Sequence, residues 1–183
     1  HILVIAGSSG KTGAAAMTSL SALRTGAGLV TLAAPASLSD IIELKPTEVM
    51  TLPLPETDDR SLSVSAEDIL IKILPKITVT ALGPGLSTHP ETAELVRHLI
   101  TKIEHPVIID ADGINALAGH LEILKGVKAP LILTPHPGEM ARLINKTSKD
   151  VQKDRIGIAQ DFALEHKVIL VLKGARTIIA DSE

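Results

Sequence analysis

Short runs of branched aliphatic residues recur along the chain: Ile2-Leu3-Val4-Ile5-Ala6, Val107-Ile108-Ile109 and Val168-Ile169-Leu170-Val171-Leu172. A strand with one wet face alternates apolar and polar residues, whereas a strand in a sheet buried on both faces is apolar almost continuously. The runs predict strands over 2–6, 29–34, 49–52, 77–82, 107–110, 131–134, 168–172 and 177–180. Between them lie stretches with helical spacing, predicting helices over 12–26, 37–44, 66–74, 91–103, 138–144 and 149–166. Pro90 suits a first helical turn. Leu95, Leu99 and Ile103 then share one face, away from Glu94, Arg97, His98 and Lys102. Strand and helix in alternation give a layered α/β fold around a mostly parallel sheet. Ligands bind such sheets beyond the carboxyl ends of the strands, so functional residues are expected just after each run.

The chain has 183 residues, which makes one domain the default. Its 18 basic and 21 acidic side chains give a net charge of −3, against the basic stripe of a nucleic-acid binder. Phe162 is the one residue of the Phe, Trp and Tyr class, which argues against stacking of bases on aromatic platforms. There are no cysteines, hence no disulfide, zinc–thiolate site, iron–sulfur cluster or cysteine nucleophile. No apolar run approaches the roughly 20 residues needed to span a bilayer. His1 is not a natural start, and 178–183 reads as a strand entering a turn. The chain is therefore expected to begin inside a longer protein and to be cut at its C-terminus.

Several clusters fall after the strands. Gly7-Ser8-Ser9-Gly10-Lys11-Thr12 ends like a P-loop, but the spacing G-x-x-x-x-G-K-[ST] would need glycine where Ile5 stands. The loop is too short to wrap a phosphate pair. Gly13-Ala14-Ala15-Ala16 opens the next helix with small side chains, which serve either close helix-on-sheet packing or ligand approach to free N–H groups. Gly83-Pro84-Gly85 is either an ordinary turn or room for a ligand against the main chain. Asp110 and Asp112 need partners at a buried strand end. They could hold water, a hydroxyl or a cation, or Asp112 could cap the next helix while Asp110 binds loop amides. In Thr134-Pro135-His136-Pro137-Gly138-Glu139, two prolines hold the histidine rigidly, and Glu139 sits where a helix N-terminus favours an anion. A stiff histidine turn at a strand's carboxyl end points to ligand binding. Lys173-Gly174-Ala175-Arg176-Thr177 joins two strands, as a plain hairpin or as a nucleotide-binding loop. One helix end supplies about 0.3–1 kcal/mol, while micromolar nucleotide binding needs about 8. Several loops must converge.

In this order and spacing the clusters resemble the NAD(P)H-hydrate dehydratase family of the ribokinase-like superfamily. Gly7-Ser8 with Gly13-Ala14-Ala15, the segment 22–30, Gly83-Pro84-Gly85, Asp110-Ala111-Asp112, the histidine turn and Lys173–Thr177 carry the likeness, which spans nearly the whole chain. The resemblance implies a three-layer α/β/α fold in which 1–183 form a single domain, incomplete at its C-terminus. It implies a cytoplasmic repair enzyme for the hydrated S form of NADH or NADPH, using ADP or ATP with Mg2+. The nucleotide phosphorylates the ring hydroxyl, and phosphate, a far better leaving group than hydroxide, then departs as the ring nitrogen pushes electrons toward the vacated carbon.

By the same resemblance Ala14, Gly83 or preferably Gly85, and His136 contact the hydrated dinucleotide. Lys173, Gly174, Ala175, Arg176 and Thr177 line the AMP portion, and Glu139 organises magnesium and phosphate through water. For Asp110, Asp112 and Asn115 only proximity to the site carries over. The family's Gly-Thr-Gly-Asp anion hole, with its catalytic aspartate, is expected past Glu183. A homo-oligomer, a tetramer in many relatives, is implied, and an N-terminal epimerase domain is left open. Two alternatives stand: a ribokinase-like kinase of a vitamin-type alcohol, and a nucleotide-binding module without turnover. All these readings require the histidine turn and the lysine–threonine connector to lie on the same side of the molecule.

Overall fold

Each apolar run becomes a strand in the computed structural model, which describes residues 1–182. The strands are β1 (Ile2–Ile5), β2 (Val30–Pro35), β3 (Met50–Leu54), β4 (Val79–Leu82), β5 (Val107–Ile109), β6 (Leu131–Leu133), β7 (Ile169–Leu172) and β8 (Ile178–Ala180). They form one sheet in the order β3-β2-β1-β4-β5-β6-β7-β8. All neighbours are parallel except β7 and β8, which form an antiparallel hairpin. The chain walks outward from β1 to β3, returns to the other side of β1 at β4, and walks outward again. Loops leaving β1 and β4 therefore diverge, and the crevice between them is the topological switch point at which such sheets bind ligands.

The helices are α1 (Thr12–Arg24), α2 (Ser39–Glu43), α3 (Glu67–Ile73), α4 (Pro90–Ile100), α5 (Asp112–Asn115), α6 (Pro137–Leu143), α7 (Ser148–Lys153) and α8 (Arg155–His166). Leu95 and Leu99 of α4 are buried, as their spacing predicts. The single helix expected over 149–166 is two helices. Asp154, at φ −144° and ψ 72°, leaves the helical region, and its side chain accepts the Gly157 N–H to cap α8. The short α5 was anticipated only as the helix that Asp112 could cap and was given no range, because it has no apolar periodicity of its own.

Two cores lie on opposite faces of the sheet. The larger joins Leu3, Ile5, Leu82, Ile109, Leu133 and Leu170 to apolar side chains of α3 through α8. The smaller joins Val4, Ala6, Leu32 and Ala34 to Ala15 of α1 and Ile42 of α2. The three layers are thus complete around β1 and β2. Beyond them the second face carries the register-matched row Ala81–Ile108–Ile132–Ile169 and then Ile179, with Ile169 37% and Ile179 72% exposed. Burial on both faces, expected for every strand, is therefore corrected for this half: the apolar pattern marks a face that the described residues leave largely open. Where this face meets α1, a groove of about 320 Å3 runs between Ser21 and Ala22 on one side and Ala81 and Ile108 on the other. It reaches the rim at Asp110 and Thr134. No helix among the described residues is long and apolar enough to cross a membrane.

Candidate functional site

At the switch point the two loops are joined by hydrogen bonds to main-chain carbonyls. Gly7 N–H donates to Pro84 O at 3.0 Å, Gly83 N–H to Ile5 O at 3.1 Å, and the buried Ser8 hydroxyl to Gly85 O at 2.8 Å. Gly83 lies at φ +125°, and a Cβ there would sit 1.9 Å from the Asp110 carbonyl oxygen. The missing side chain of Gly83 is thus used to seat the loop after β5. Gly85 faces the other way: its Cβ would meet the Cβ atoms of Lys11 at 2.9 Å and Ala14 at 3.1 Å. Ala14 and Gly85, both expected at the dinucleotide, are therefore neighbours across the crevice. The Lys11 ammonium is 2.9 Å from Asp112 Oδ2, so it spans two rim loops in place of the phosphate-reaching role that a P-loop would give it.

The loop after β5 carries Asp110, Ala111 and Asp112. Ala111 has φ 51° and ψ −117°, a backbone conformation that side-chain-bearing residues rarely adopt. Asp112 does not cap α5, contrary to the structural role open to it in the sequence. Ala111 holds the cap position, and the Asp112 carboxylate accepts from Lys11, from Ser87 N–H at 2.9 Å and from Asn115 Nδ2 at 3.2 Å. Burial alone would push this carboxyl up, but those donors outweigh it and hold its pKa below the ordinary value of 3.8. Asn115 in turn accepts from Arg142 Nε at 2.9 Å. Asp110 Oδ1 accepts from the Thr134 hydroxyl at 2.8 Å and from Lys173 Nζ at 2.6 Å.

The turn after β6 folds into a capping box. His136 Nδ1 accepts the N–H groups of Gly138 at 2.9 Å and Glu139 at 3.2 Å, while Glu139 Oε2 accepts the His136 N–H at 2.8 Å. With Nδ1 accepting, the ring's proton sits on Nε2, 3.3 Å from Glu139 Oε1. Glu139 is buried at 5% exposure, with Lys173 Nζ 3.9 Å from Oε2. The Lys173 N–H donates to Pro135 O at 2.8 Å. The histidine turn and the lysine–threonine connector are therefore in contact on one side of the molecule, as the composite site requires. The connector itself, Gly174 to Thr177, is exposed.

No group of three or more histidine and acidic side chains that could hold a metal exists among the described residues. Both Glu139 oxygens are engaged, so the described residues offer no protein-only cage for Mg2+. The ion usually keeps several waters and binds one or two carboxylates plus substrate phosphates. Glu139 and Asp110, joined through Lys173, are the carboxylates at the rim that such a complex would meet.

Sequence reasoning assigned no role to Thr134, although it sits inside the histidine motif. Arg155 carried no signal at all. Its contacts, to the carbonyls of Leu172, Lys173, Ala175 and Arg176, lie 17 to 21 residues downstream and follow no short motif.

Comparison with known proteins gives the family and the fold. Residues 2–183 match the family described as NAD(P)H-hydrate dehydratase. The bifunctional NAD(P)H-hydrate repair enzyme Nnr of Moorella thermoacetica is 48% identical over 98% of this chain and 34% of its own length. That of Salinibacter ruber is 36% identical over 97% of this chain and 33% of its own length. A crystal structure of the ADP/ATP-dependent NAD(P)H-hydrate dehydratase of Bacillus subtilis, grown with ATP and Mg2+ and soaked with CoA, superposes with a TM-score of 0.79 at 29% identity. That match covers 99% of this chain and 62% of the solved one. The chain thus spans about a third of the curated relatives it matches. On these grounds the chain belongs to the NAD(P)H-hydrate dehydratase family, with the ribokinase-like α/β architecture of its solved relatives.

Proposed function

We propose that the protein from which this chain comes dehydrates the S form of hydrated NADH or NADPH, consuming ADP or ATP with Mg2+. The observation that carries the reading is the meeting of the histidine turn with the lysine connector, through Lys173 N–H to Pro135 O at 2.8 Å and Lys173 Nζ to Asp110 at 2.6 Å. Two loops expected at two different ligands share one crevice beside the switch-point glycines. In this reading the hydrated ring lies against Ala14, Gly85 and His136, with Gly83 shaping the floor. The segment Lys173–Thr177 takes the AMP portion, and Glu139 orders phosphate-bound Mg2+ through water.

The terminal phosphoryl group passes to the ring hydroxyl, whose proton goes to the catalytic base, and AMP or ADP is released. The C–O bond then breaks as the ring nitrogen donates its electron pair, leaving an iminium. Phosphate departs, and loss of a proton from the neighbouring ring carbon forms the C=C bond that restores reduced nicotinamide. What the chain contributes is positioning and fixed charge. The rigid turn holds the ring, while Lys173, braced by two carboxylates, keeps a cation beside the AMP portion of the nucleotide.

The same reading bears on the extent of the domain. We propose that residues 1–183 are part of a single ribokinase-like domain whose further segment holds the catalytic aspartate and covers the open face across Ala81, Ile108 and Ile132. A cytoplasmic location and a homo-oligomer, tetrameric by resemblance, belong to the same proposal. Light scattering of the full-length protein reads the subunit count.

The test supplies hydrated NADPH and ADP to the full-length protein and follows the reduced-nicotinamide absorbance. Recovery of absorbance is expected from the full-length protein and absent from residues 1–183 alone. Full turnover by the 183 residues would overturn the placement of the catalytic group. Phosphorylation of a vitamin-type alcohol with no recovery would favour the kinase, and ADP binding without any product would leave a binding module.

A further inference from the structure

Arg155 stands at the first position of α8, half-buried, and its guanidinium lies inside the β7–β8 loop. Nη1 donates to Ala175 O at 2.7 Å and Arg176 O at 3.3 Å. Nη2 donates to Leu172 O at 3.1 Å and Lys173 O at 3.2 Å. All four Nη hydrogens are thus committed to carbonyls of one turn, while the buried Nε has no partner. A planar fork with fixed donor directions sets the orientation of the peptides it binds, which a flexible ammonium cannot do. In a trans peptide the N–H points opposite to the C=O. Drawing four carbonyls inward therefore turns the N–H groups of Lys173, Gly174, Arg176 and Thr177 away from the guanidinium. The first of these meets Pro135 O at 2.8 Å and ties the loop to the histidine turn. Gly174 makes room for the arrangement: a Cβ there would lie 2.9 Å from Nη2.

We infer that Arg155 is a positioning residue that sets nucleotide affinity: it holds the Lys173–Thr177 loop in the shape that presents its outward amides and the Lys173 ammonium to a nucleoside diphosphate. The inference deepens the proposed function and rests on its assignment of this loop to the nucleotide. Arg155 itself touches no ligand in this arrangement, since its Nη donors are spent on the loop. A helix-start arginine that served stability alone would leave the two substrates' KM values unaltered relative to each other.

The test uses the full-length protein with Arg155→Gln and Arg155→Lys. Arg155→Gln raises KM for ADP and weakens ADP binding by calorimetry about tenfold, with KM for the hydrated dinucleotide unchanged. Arg155→Lys, which keeps charge and stem but loses the fork, shifts ADP by about threefold in the same direction. Equal ADP affinity in wild type and the Gln variant overturns the inference, as does a parallel rise of both KM values. If the Gln variant does not fold, the Lys variant carries the same comparison, and the same two outcomes overturn the inference. Calorimetry also separates the two levels. ADP affinity that falls with Arg155 in a protein that never restores reduced nicotinamide overturns the dehydratase reading and keeps the positioning role.

Discussion

The two halves of the rim reach close contact by opposite means. Between β1 and β4 the crevice is built mainly from backbone, with Gly7 and Gly83 hydrogen-bonded to main chain and Gly85 packed against Lys11 and Ala14, and the Lys11 ammonium turned out to Asp112. Between β5 and β8 it is built from charge, with Lys173 Nζ 2.6 Å from Asp110 and 3.9 Å from Glu139, and Arg155 behind them. A wall of backbone atoms cannot accept one extra carbon, because interiors are packed to crystal density, but it is indifferent to pH and salt. A wall of ion pairs tolerates small changes of shape and responds to anything that alters charge. The first half suits a ligand recognised by flatness and fit, such as a ring, and the second a ligand recognised by phosphate.

The sharpest way to break the glycine half is Gly83→Ala. The new Cβ meets Asp110 O at 1.9 Å and Gly113 N at 2.7 Å, both backbone, at a φ of +125°. No side chain can move aside, so the loop after β5 must shift, at a cost of about 4 kcal/mol or more. Urea unfolding of the full-length protein should show this as a lower midpoint or a failure to fold. A loss under about 1 kcal/mol would mean the two loops are not in contact.

In the charged half the largest effect is expected from Glu139→Ala. The carboxylate is buried and satisfies the His136 N–H at 2.8 Å, and its loss leaves that donor unpaired and Lys173 with Asp110 alone. Denaturant unfolding should lose about 2 kcal/mol, and Glu139→Gln, which keeps an acceptor, should lose less than half of that. An equal loss in both would place the effect in the charge and not in the cap.

How much of this was legible follows from the range of each interaction. The parallel sheet was readable because burial on both faces leaves its mark in consecutive residues, as in Val107-Ile108-Ile109. The histidine turn was readable because Pro135 and Pro137 flank His136 directly and Glu139 follows within three residues, and the capping box that it folds into is as local. The break at Asp154 was missed because aspartate is tolerated inside a helix as well as at its start, and only the Gly157 contact decides between them. Arg155 was illegible for a further reason: an arginine fork grips carbonyl oxygens, which every residue possesses, so the gripped loop needs no particular sequence. The open face over Ile108 and Ile132 shows the reverse case, in which the pattern speaks for burial that these residues alone do not complete.

Asp112 ties the two halves together, since it belongs to the charged loops and accepts from Lys11 and Ser87 on the glycine side. Its folded-state pKa is depressed, so its contribution to stability is full above the ordinary carboxylate value of 3.8 and is lost as the pH falls through the lower folded value. Asp112→Asn should therefore cost about 1.5 kcal/mol near neutral pH. The gap to wild type in thermal unfolding should close on acidification below about pH 4. A gap that stayed constant with pH would assign the effect to shape and place Asp112 with the glycines.

The smallest effect should have the opposite sign. Ala111 holds φ 51° and ψ −117° between Asp110, which serves Lys173, and Asp112, which serves Lys11. Such a conformation costs about 1–3 kcal/mol for a residue with a Cβ, and glycine adopts it freely at an entropic cost of about 0.5–1 kcal/mol. Ala111→Gly should thus raise stability by up to about 1 kcal/mol, read as a small increase in the unfolding midpoint. The same change frees the hinge between the two carboxylates. If the strain serves to aim them, the stabilised variant should bind ADP more weakly than wild type, and a variant that gains stability with unaltered ADP affinity would show that the two carboxylates hold their places through their partners alone.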